Sequence, residues 1–328
     1  MKRLAIVVPC FNEEEALVDT DKVLNDLLKD LIKRKVVKSN SFILYVNDGS
    51  KDNTWEVIKK AYKDSKYVYG LNLAGNKGHQ NALLAGLMQV KDEVDMTISI
   101  DADLQDDVGV IEEMVNKYYE GSDIVYGVRN DRTSDSGFKK FTAEAFYKMM
   151  NWLGAKTVYN SADFRLMSNR ALDELSLYSE ANLFLRGLST ELGFKTDYVY
   201  YKRNPRLKGE SKYPFKKMLA LAINGITSFS EKPLTLILYL SIFFTLISFI
   251  ILIRSIPQFA NHDFVAYWTL LIATIWLVCG ILLLGLGIIG LYIGKIFIET
   301  KKRPRYYIES YLKQEDKKQT KQKEKVGE

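Results

Sequence analysis

The densest chemistry in this 328-residue chain is the run Asp101-Ala102-Asp103-Leu104-Gln105-Asp106-Asp107. Carboxylates at i and i+2 on an extended segment point the same way and repel one another unless a cation sits beside them. Hard oxygen ligands select Mg²⁺ or Mn²⁺, ions that commonly hold a diphosphate at the same time. The plain alternative is a solvated acidic turn. Three other polar runs stand near it in character. In Pro9-Cys10-Phe11-Asn12-Glu13-Glu14-Glu15, Asn12 can cap a following helix and the glutamates favour its positive end; capping alone would explain the segment. In Asn47-Asp48-Gly49-Ser50-Lys51-Asp52-Asn53-Thr54, Asp48 could accept hydrogen bonds from a ribose or a base, although Asp-Gly turns are common. In Gly75-Asn76-Lys77-Gly78-His79-Gln80, a glycine-containing turn enters a helix whose free amides could face phosphate, and His79 reads as a helix-start residue rather than a ligand.

Each of these runs follows a short apolar segment. The segments cover residues 4–8, 42–46, 67–71 and 96–100, with a fifth at 124–126, and they alternate with stretches of helical period such as Leu24, Leu27, Leu28 and Leu31. That alternation predicts an α/β domain with a mainly parallel sheet and helices on both faces. Ligands of such sheets bind beyond the carboxyl ends of the strands, where all four polar runs fall.

Composition bounds the rest. The chain is 47% apolar and 26% charged, as expected of a folded protein. Its 46 basic and 40 acidic residues leave a net charge of +6, too small to make the whole surface a nucleic-acid site. The two cysteines, Cys10 and Cys279, indicate no disulfide framework and point to a reducing compartment. The apolar run after Met1-Lys2-Arg3 meets Pro9 too soon for a secretory signal, so the first part of the chain is expected to stay in the cytoplasm.

Residues 233–253 and 264–294 contain no charge, and each stretch can cross about 30 Å of hydrocarbon. They are apolar on every face, which predicts two transmembrane helices rather than buried core helices. The loop 257–263 lacks Lys and Arg while 202–217 and 295–305 are basic, so both termini are placed in the cytoplasm. Gly285-Leu286-Gly287-Ile288-Ile289-Gly290 matches a dinucleotide-binding fingerprint, but it lies inside an apolar span with no strand before it. These glycines, with Gly294, instead suit close helix packing and a homo-oligomer. Phe215, Leu219, Ala222, Ile223 and Ile226 recur at helical spacing beside Lys212, Lys216 and Lys217, which predicts an amphipathic helix at the membrane interface or one packed on the catalytic domain. The mixed-charge, Lys-rich tail is expected to be disordered, and nothing in it supports nucleic-acid binding.

Together these motifs resemble the GT-A-fold family 2 glycosyltransferases, and within them the polyprenyl-phosphate sugar transferases similar to dolichol-phosphate mannose synthase and bactoprenol glucosyltransferases. The resemblance runs from about residue 4 to 294 and is carried by the three runs at Pro9, Asn47 and Asp101, by Ala162-Asp163-Phe164-Arg165-Leu166-Met167 and by Gly209-Glu210-Ser211-Lys212-Tyr213. It implies a GT-A catalytic domain at 1–205, a basic and amphipathic juxtamembrane segment at 206–232, two transmembrane helices at 233–294 and a basic tail at 295–328.

By resemblance, Pro9, Asn12, Glu13 and Asp48 line the nucleotide pocket, Asp101 and Asp103 lie at the diphosphate with Asp103 on a Mg²⁺ or Mn²⁺ ion, and Gln105 contacts metal or sugar. Arg129, Arg203, Arg206 and Lys208 hold the acceptor phosphate or the leaving diphosphate, with Ser211 close by; Lys139 and Lys140 are further candidates for the phosphate. Asp163 has three open roles: base, orienter of the acceptor, or partner of Arg165. Where the family often has two prolines, this chain has Asp107-Val108-Gly109. The implied reaction is inverting transfer of a hexose, from UDP-glucose or UDP-N-acetylglucosamine, to undecaprenyl or another polyprenyl phosphate at the cytoplasmic face, with a flippase and a downstream glycosyltransferase as partners. A processive polysaccharide synthase is the nearest rival, yet none of Trp55, Trp152, Trp268 and Trp276 follows an arginine as its Gln-x-x-Arg-Trp motif requires. A non-catalytic sensor of nucleotide sugars, or a protein that recruits a flippase, is the rival from another class.

Overall fold

The computed structural model describes residues 1–130, 161–178, 185–202, 264–314 and scattered positions between 234 and 250. The chain divides into two compact units, one made of Met1–Tyr147, Lys156–Tyr213 and Pro304–Glu328 and the other of Lys148–Ala155 and Pro214–Arg303.

The first unit is built on β1 (Leu4–Cys10), α1 (Glu14–Lys33), β2 (Phe42–Asn47), α2 (Thr54–Asp64), β3 (Val68–Leu73), α3 (His79–Val90), β4 (Met96–Ser99), α4 (Ile111–Tyr119), β5 (Ile124–Arg129), β6 (Ser161–Ser168), α5 (Asn169–Leu177), α6 (Leu185–Glu191) and β7 (Thr196–Tyr201). A last strand, β8 (Ile308–Leu312), returns from the far end of the chain. The eight strands form one sheet in the order β7-β5-β6-β4-β1-β2-β3-β8. The expected parallel core is present as β4-β1-β2-β3, but β6 runs antiparallel between β4 and β5, and β8 runs antiparallel on β3, so the sheet as a whole is mixed.

Local pattern explains the core. β1, β2 and β3 are buried along their whole length, as continuous apolar runs covered on both faces should be. α1 buries Leu17, Leu24, Leu28 and Leu31, one stripe at helical spacing, each burial contributing about 1.5–3 kcal/mol. α3 lies tight on the sheet because Gly86 faces it: a Cβ there would come within 2.5 Å of Val7 Cγ1 and 2.7 Å of Val46 Cγ2.

In the second unit, α7 (Phe264–Thr300) has 37 residues and runs past the charge-free stretch, through Lys295 and Glu299. Its 24-residue portion Leu277–Thr300 is long and apolar enough to cross a membrane by length and composition, since about 1.5 Å per residue gives about 36 Å. Leu282, Leu283, Leu286 and Ile293 are exposed on it. Gly285 meets Ile237 at ordinary contact distance, whereas Gly287, Gly290 and Gly294 face no atom within 4 Å among the described residues. This is the one candidate span among the described residues. The described positions between 234 and 250 are helical, and the rest of the first expected span, the amphipathic segment 206–232 and the loop 257–263 lie outside the described residues.

One expectation is corrected. The tail at 295–328 is not disordered throughout, because the end of α7 and the strand Ile308–Leu312 belong to it. The Lys-rich composition of the whole tail masked five residues of strand character, and β3 offers them an open edge to pair with. Leu312 covers Gly70, and Tyr311 lies edge-on to Tyr69 with ring centroids 6.3 Å apart. Residues 315–328 lie outside the described residues.

Candidate active site

The loops at the carboxyl ends of β1 and β2 clasp one another. Asn12 adopts a left-handed backbone with φ +54°, and its side chain does not cap α1; its Oδ1 accepts the Lys51 amide at 2.8 Å, and its own amide donates to Ser50 Oγ at 3.0 Å. Glu13 flanks α1 instead, with its amide on Thr54 Oγ1 at 2.9 Å. Pro9 is buried in β1 opposite Val46, beyond the last pairing of β1 with β4 at Val7 and Ser99, where its missing N–H removes no ladder bond with β4.

Asp48 is turned inward. The residue is 2% exposed, and its carboxylate accepts the amides of Lys77 at 2.7 Å and Gly78 at 2.9 Å. Burial pushes its carboxyl up, against the pull of those two amides. Asp48 thus braces the turn that leads into α3. Gly49 makes this possible: it has φ +62°, and a Cβ on it would lie 2.5 Å from the backbone nitrogen of Asn76.

The acidic run comes after β4. Asp101 is half-buried, Asp103 Oδ1 accepts the Gln105 amide at 3.2 Å, and Leu104 between them has φ +51°. Asp106, 2% exposed, accepts Arg129 Nη2 at 2.8 Å and the Tyr201 hydroxyl at 2.5 Å. Arg129, expected at a phosphate, pairs with Asp106 through Nε and Nη2, and burial together with that carboxylate pushes the Tyr201 hydroxyl well above its usual range.

The antiparallel strand β6 adds the feature that the sequence does not reveal. Its register sets Arg165 opposite Ser99 at the end of β4, and Ser99 Oγ donates to the Asp163 carbonyl at 2.5 Å. Asp163 is thereby brought to the acidic run. One of its oxygens accepts Arg165 Nη2 at 2.7 Å, and Arg165 Nη1 donates to the Leu185 carbonyl and to Ser189 Oγ, both at 2.8 Å. The other oxygen lies 3.4 Å from His79 Nε2, which is also 3.4 Å from Asp101 Oδ1. His79 is indeed the first residue of α3, but that position also places it between two carboxylates. The glycine turn ahead of it was the available signal.

Desolvation pushes the Asp101 carboxyl up; His79 opposes this, while Asp163, Asp106 and Asp103 add to it. Its Oδ1, like Oδ2 of Asp106, is buried without a hydrogen-bond partner. Among the described residues no three His, Cys, Asp or Glu side chains already converge as a metal site. Even so, a crowd of carboxylates with an orphaned oxygen and a raised pKa is short of positive charge, and a hard cation fits that deficit.

Residues 5–176 match the model of glycosyl transferase family 2. The chain belongs to that family. The fold is accordingly the GT-A type of mixed α/β sheet, and the protein is a glycosyltransferase. It is 51% identical over 314 residues to the uncharacterized glycosyltransferase YkoT of Bacillus subtilis, which covers 93% of this chain and 91% of that one. It is 38% identical to the bactoprenol glucosyl transferase of Shigella phage SfX, over 94% of this chain and 99% of the relative. The prophage bactoprenol glucosyl transferase homolog of Escherichia coli is also 38% identical, over 95% of this chain and 100% of the relative. In this glycosyltransferase Pro9, Asn12, Glu13, Asp48, Asp101, Asp103, Gln105, Arg129 and Asp163 all lie at the carboxyl ends of β1, β2, β4 and β5 or on β6 beside them. Arg203, Arg206, Lys208, Ser211, Lys139 and Lys140 lie outside the described residues.

Proposed function

We propose that this glycosyltransferase transfers a hexose, with inversion, from UDP-glucose or UDP-N-acetylglucosamine to undecaprenyl or a related polyprenyl phosphate at the cytoplasmic membrane face. The observation that carries this reading is the match to bactoprenol glucosyl transferases, which spans the catalytic domain and the apolar C-terminal region together. The crowded carboxylates support the donor half of the reaction, and α7 supports the membrane half.

Asp101, Asp103 and Gln105 would hold a Mg²⁺ or Mn²⁺ ion, which when bound stabilises negative charge on a departing nucleoside diphosphate. The chain's own residues do the rest. Asp48 fixes the Lys77 and Gly78 turn, so that the start of α3 keeps one geometry. Arg165 locks Asp163, and Asp163 with Asp101 confines His79. A phosphate monoester acceptor, with a second pKa of about 6, is already an anion at neutral pH and needs orientation more than a strong base. Asp163 is therefore assigned an orienting role rather than that of a base. The product sugar stays on the cytoplasmic side of the lipid, so its use at the cell surface requires a flippase and a second glycosyltransferase.

The test is incubation of the purified full-length chain with labelled UDP- and GDP-sugars, undecaprenyl phosphate and Mg²⁺ or Mn²⁺. A chloroform-soluble labelled product that chelator abolishes is expected. Failure of every donor to give such a product would overturn the reading.

A further inference from the structure

β8 does more than close a sheet edge. Its register with β3 pairs Ser310 with Asn72 and Ile308 with Leu73, and passes over Glu309, which is the extra residue of a bulge. Bulges re-aim side chains, and this one sends Glu309 back across β3. Glu309 Oε2 accepts Asn72 Nδ2 at 2.6 Å. Asn72 Oδ1 accepts Asn47 Nδ2 at 2.7 Å, Asn47 Oδ1 accepts the Ser50 amide at 3.3 Å, and Ser50 Oγ accepts the Asn12 amide at 3.0 Å. Each donor in this series points the same way, from the β1–α1 loop out to the C-terminal strand. Asn47 and Asn72 are 3% and 9% exposed, so the geometry of one amide limits that of the next.

A second contact set runs beside the first. The Tyr307 carbonyl accepts the Ala74 amide at 3.0 Å, and Lys77 Nζ lies 5.9 Å from the centre of the Tyr307 ring. The segment from Tyr307 to Leu312 thus touches the turn before α3 directly and reaches the loop after β2 through Asn72 and Asn47, the two pieces that Asp48 joins.

We propose that β8 is a positioning element for the nucleotide-binding loops, and that Glu309 is the positioning residue at the head of the hydrogen-bond series. This rests on the donor reading above. In sequence the strand begins eight residues after α7 ends, so the chain leaving the apolar helix is the chain that sets the donor loops. A strand that merely protected the edge of β3 would contribute stability and nothing to nucleotide affinity.

The experiment uses the full-length protein and three variants. Glu309→Leu removes the acceptor, Glu309→Lys sets a donor against the Asn72 amide at an exposed position that tolerates charge, and Glu309→Gln keeps a carbonyl able to accept it. UDP and GDP binding with Mg²⁺ is read by calorimetry, along with donor KM, kcat and Tm. The expected result for the Leu and Lys variants is a nucleoside diphosphate affinity about tenfold weaker and a donor KM raised to match, equivalent to about 1.4 kcal/mol. kcat and the lipid-phosphate KM stay at wild-type values, and Glu309→Gln restores binding. Should Glu309→Leu fail to fold, Glu309→Lys carries the test. Wild-type affinity in both variants, with only Tm lowered, would overturn the inference and leave the proposed reaction standing. A wild-type chain that binds neither UDP nor GDP would overturn both.

Discussion

Asp101→Asn removes one negative charge from a site that holds Asp101, Asp103, Asp106 and Asp163 within mutual electrostatic reach. The nearest oxygens of Asp101 and Asp163 are each 3.4 Å from His79 Nε2, so they lie no more than twice that distance apart. At about 7 Å and an effective dielectric constant of about 20, two unit charges repel by about 2 kcal/mol. The Asp101 side chain is 35% exposed, and solvent screening brings the figure to about 1 kcal/mol. Loss of the attraction to His79 works against this gain, but the raised carboxyl pKa means that the folded site as a whole disfavours the charge. A neutral amide of the same shape should therefore stabilise the protein at neutral pH while removing a ligand proposed for the cation. The expected outcome is a Tm about 2–4 °C higher in calorimetry without divalent cation, the shift that 1 kcal/mol gives a domain of about 150–250 residues. Sugar transfer should fall at least about 100-fold. Mg²⁺ with UDP at about 100 times its Kd should stabilise the wild type by about 2.7 kcal/mol and the variant by much less. A variant less stable than the wild type without cation, or one that transfers sugar at the wild-type rate, would refute the reasoning.

Other perturbations test other parts of the site. Gly49→Ala puts a Cβ 2.5 Å from the Asn76 nitrogen at a φ of +62°, and the left-handed strain alone is about 1–2 kcal/mol; Tm should fall and UDP affinity should weaken together in calorimetry as Asp48 loses its amide partners. His79→Ala takes away the group between Asp101 and Asp163, and should lower stability by about 1 kcal/mol and transfer at least about tenfold in the product assay. For Asp95, burial raises the carboxyl, but the Arg3 amide at 2.6 Å with Lys2 and Lys38 outweighs it and holds the group below its usual 3.8. Such a group contributes stability above the unfolded pKa and loses it as pH falls through the folded value. Asp95→Asn should thus lower Tm at pH 7 and flatten its decline below about pH 4.

Much of this protein was legible in the order of its residues. The first five strands, the helix stripe of α1 and the acidic run could be read because apolar runs, helical periods and turn residues are local signals. The proposal of a cation at Asp101 and Asp103 rests on the same kind of local signal, hard oxygen ligands at close spacing. What the sequence did not disclose depends on which strand pairs with which. β6 enters the sheet antiparallel and sets Asp163, sixty-two positions after Asp101 in the numbering, across His79 from it. Nor did the sequence disclose that the close approach of the Gly75–Gly78 turn gives Asp48 two backbone amides to brace, or that Arg129 pairs with Asp106. β8 was hidden by the charged tail around it and needed the open edge of β3 to become a strand. Residue types determine which chemistry is available, whereas the register of distant strands determines which of those groups meet, because pairing over long separations is decided by the whole sheet and not by any one segment.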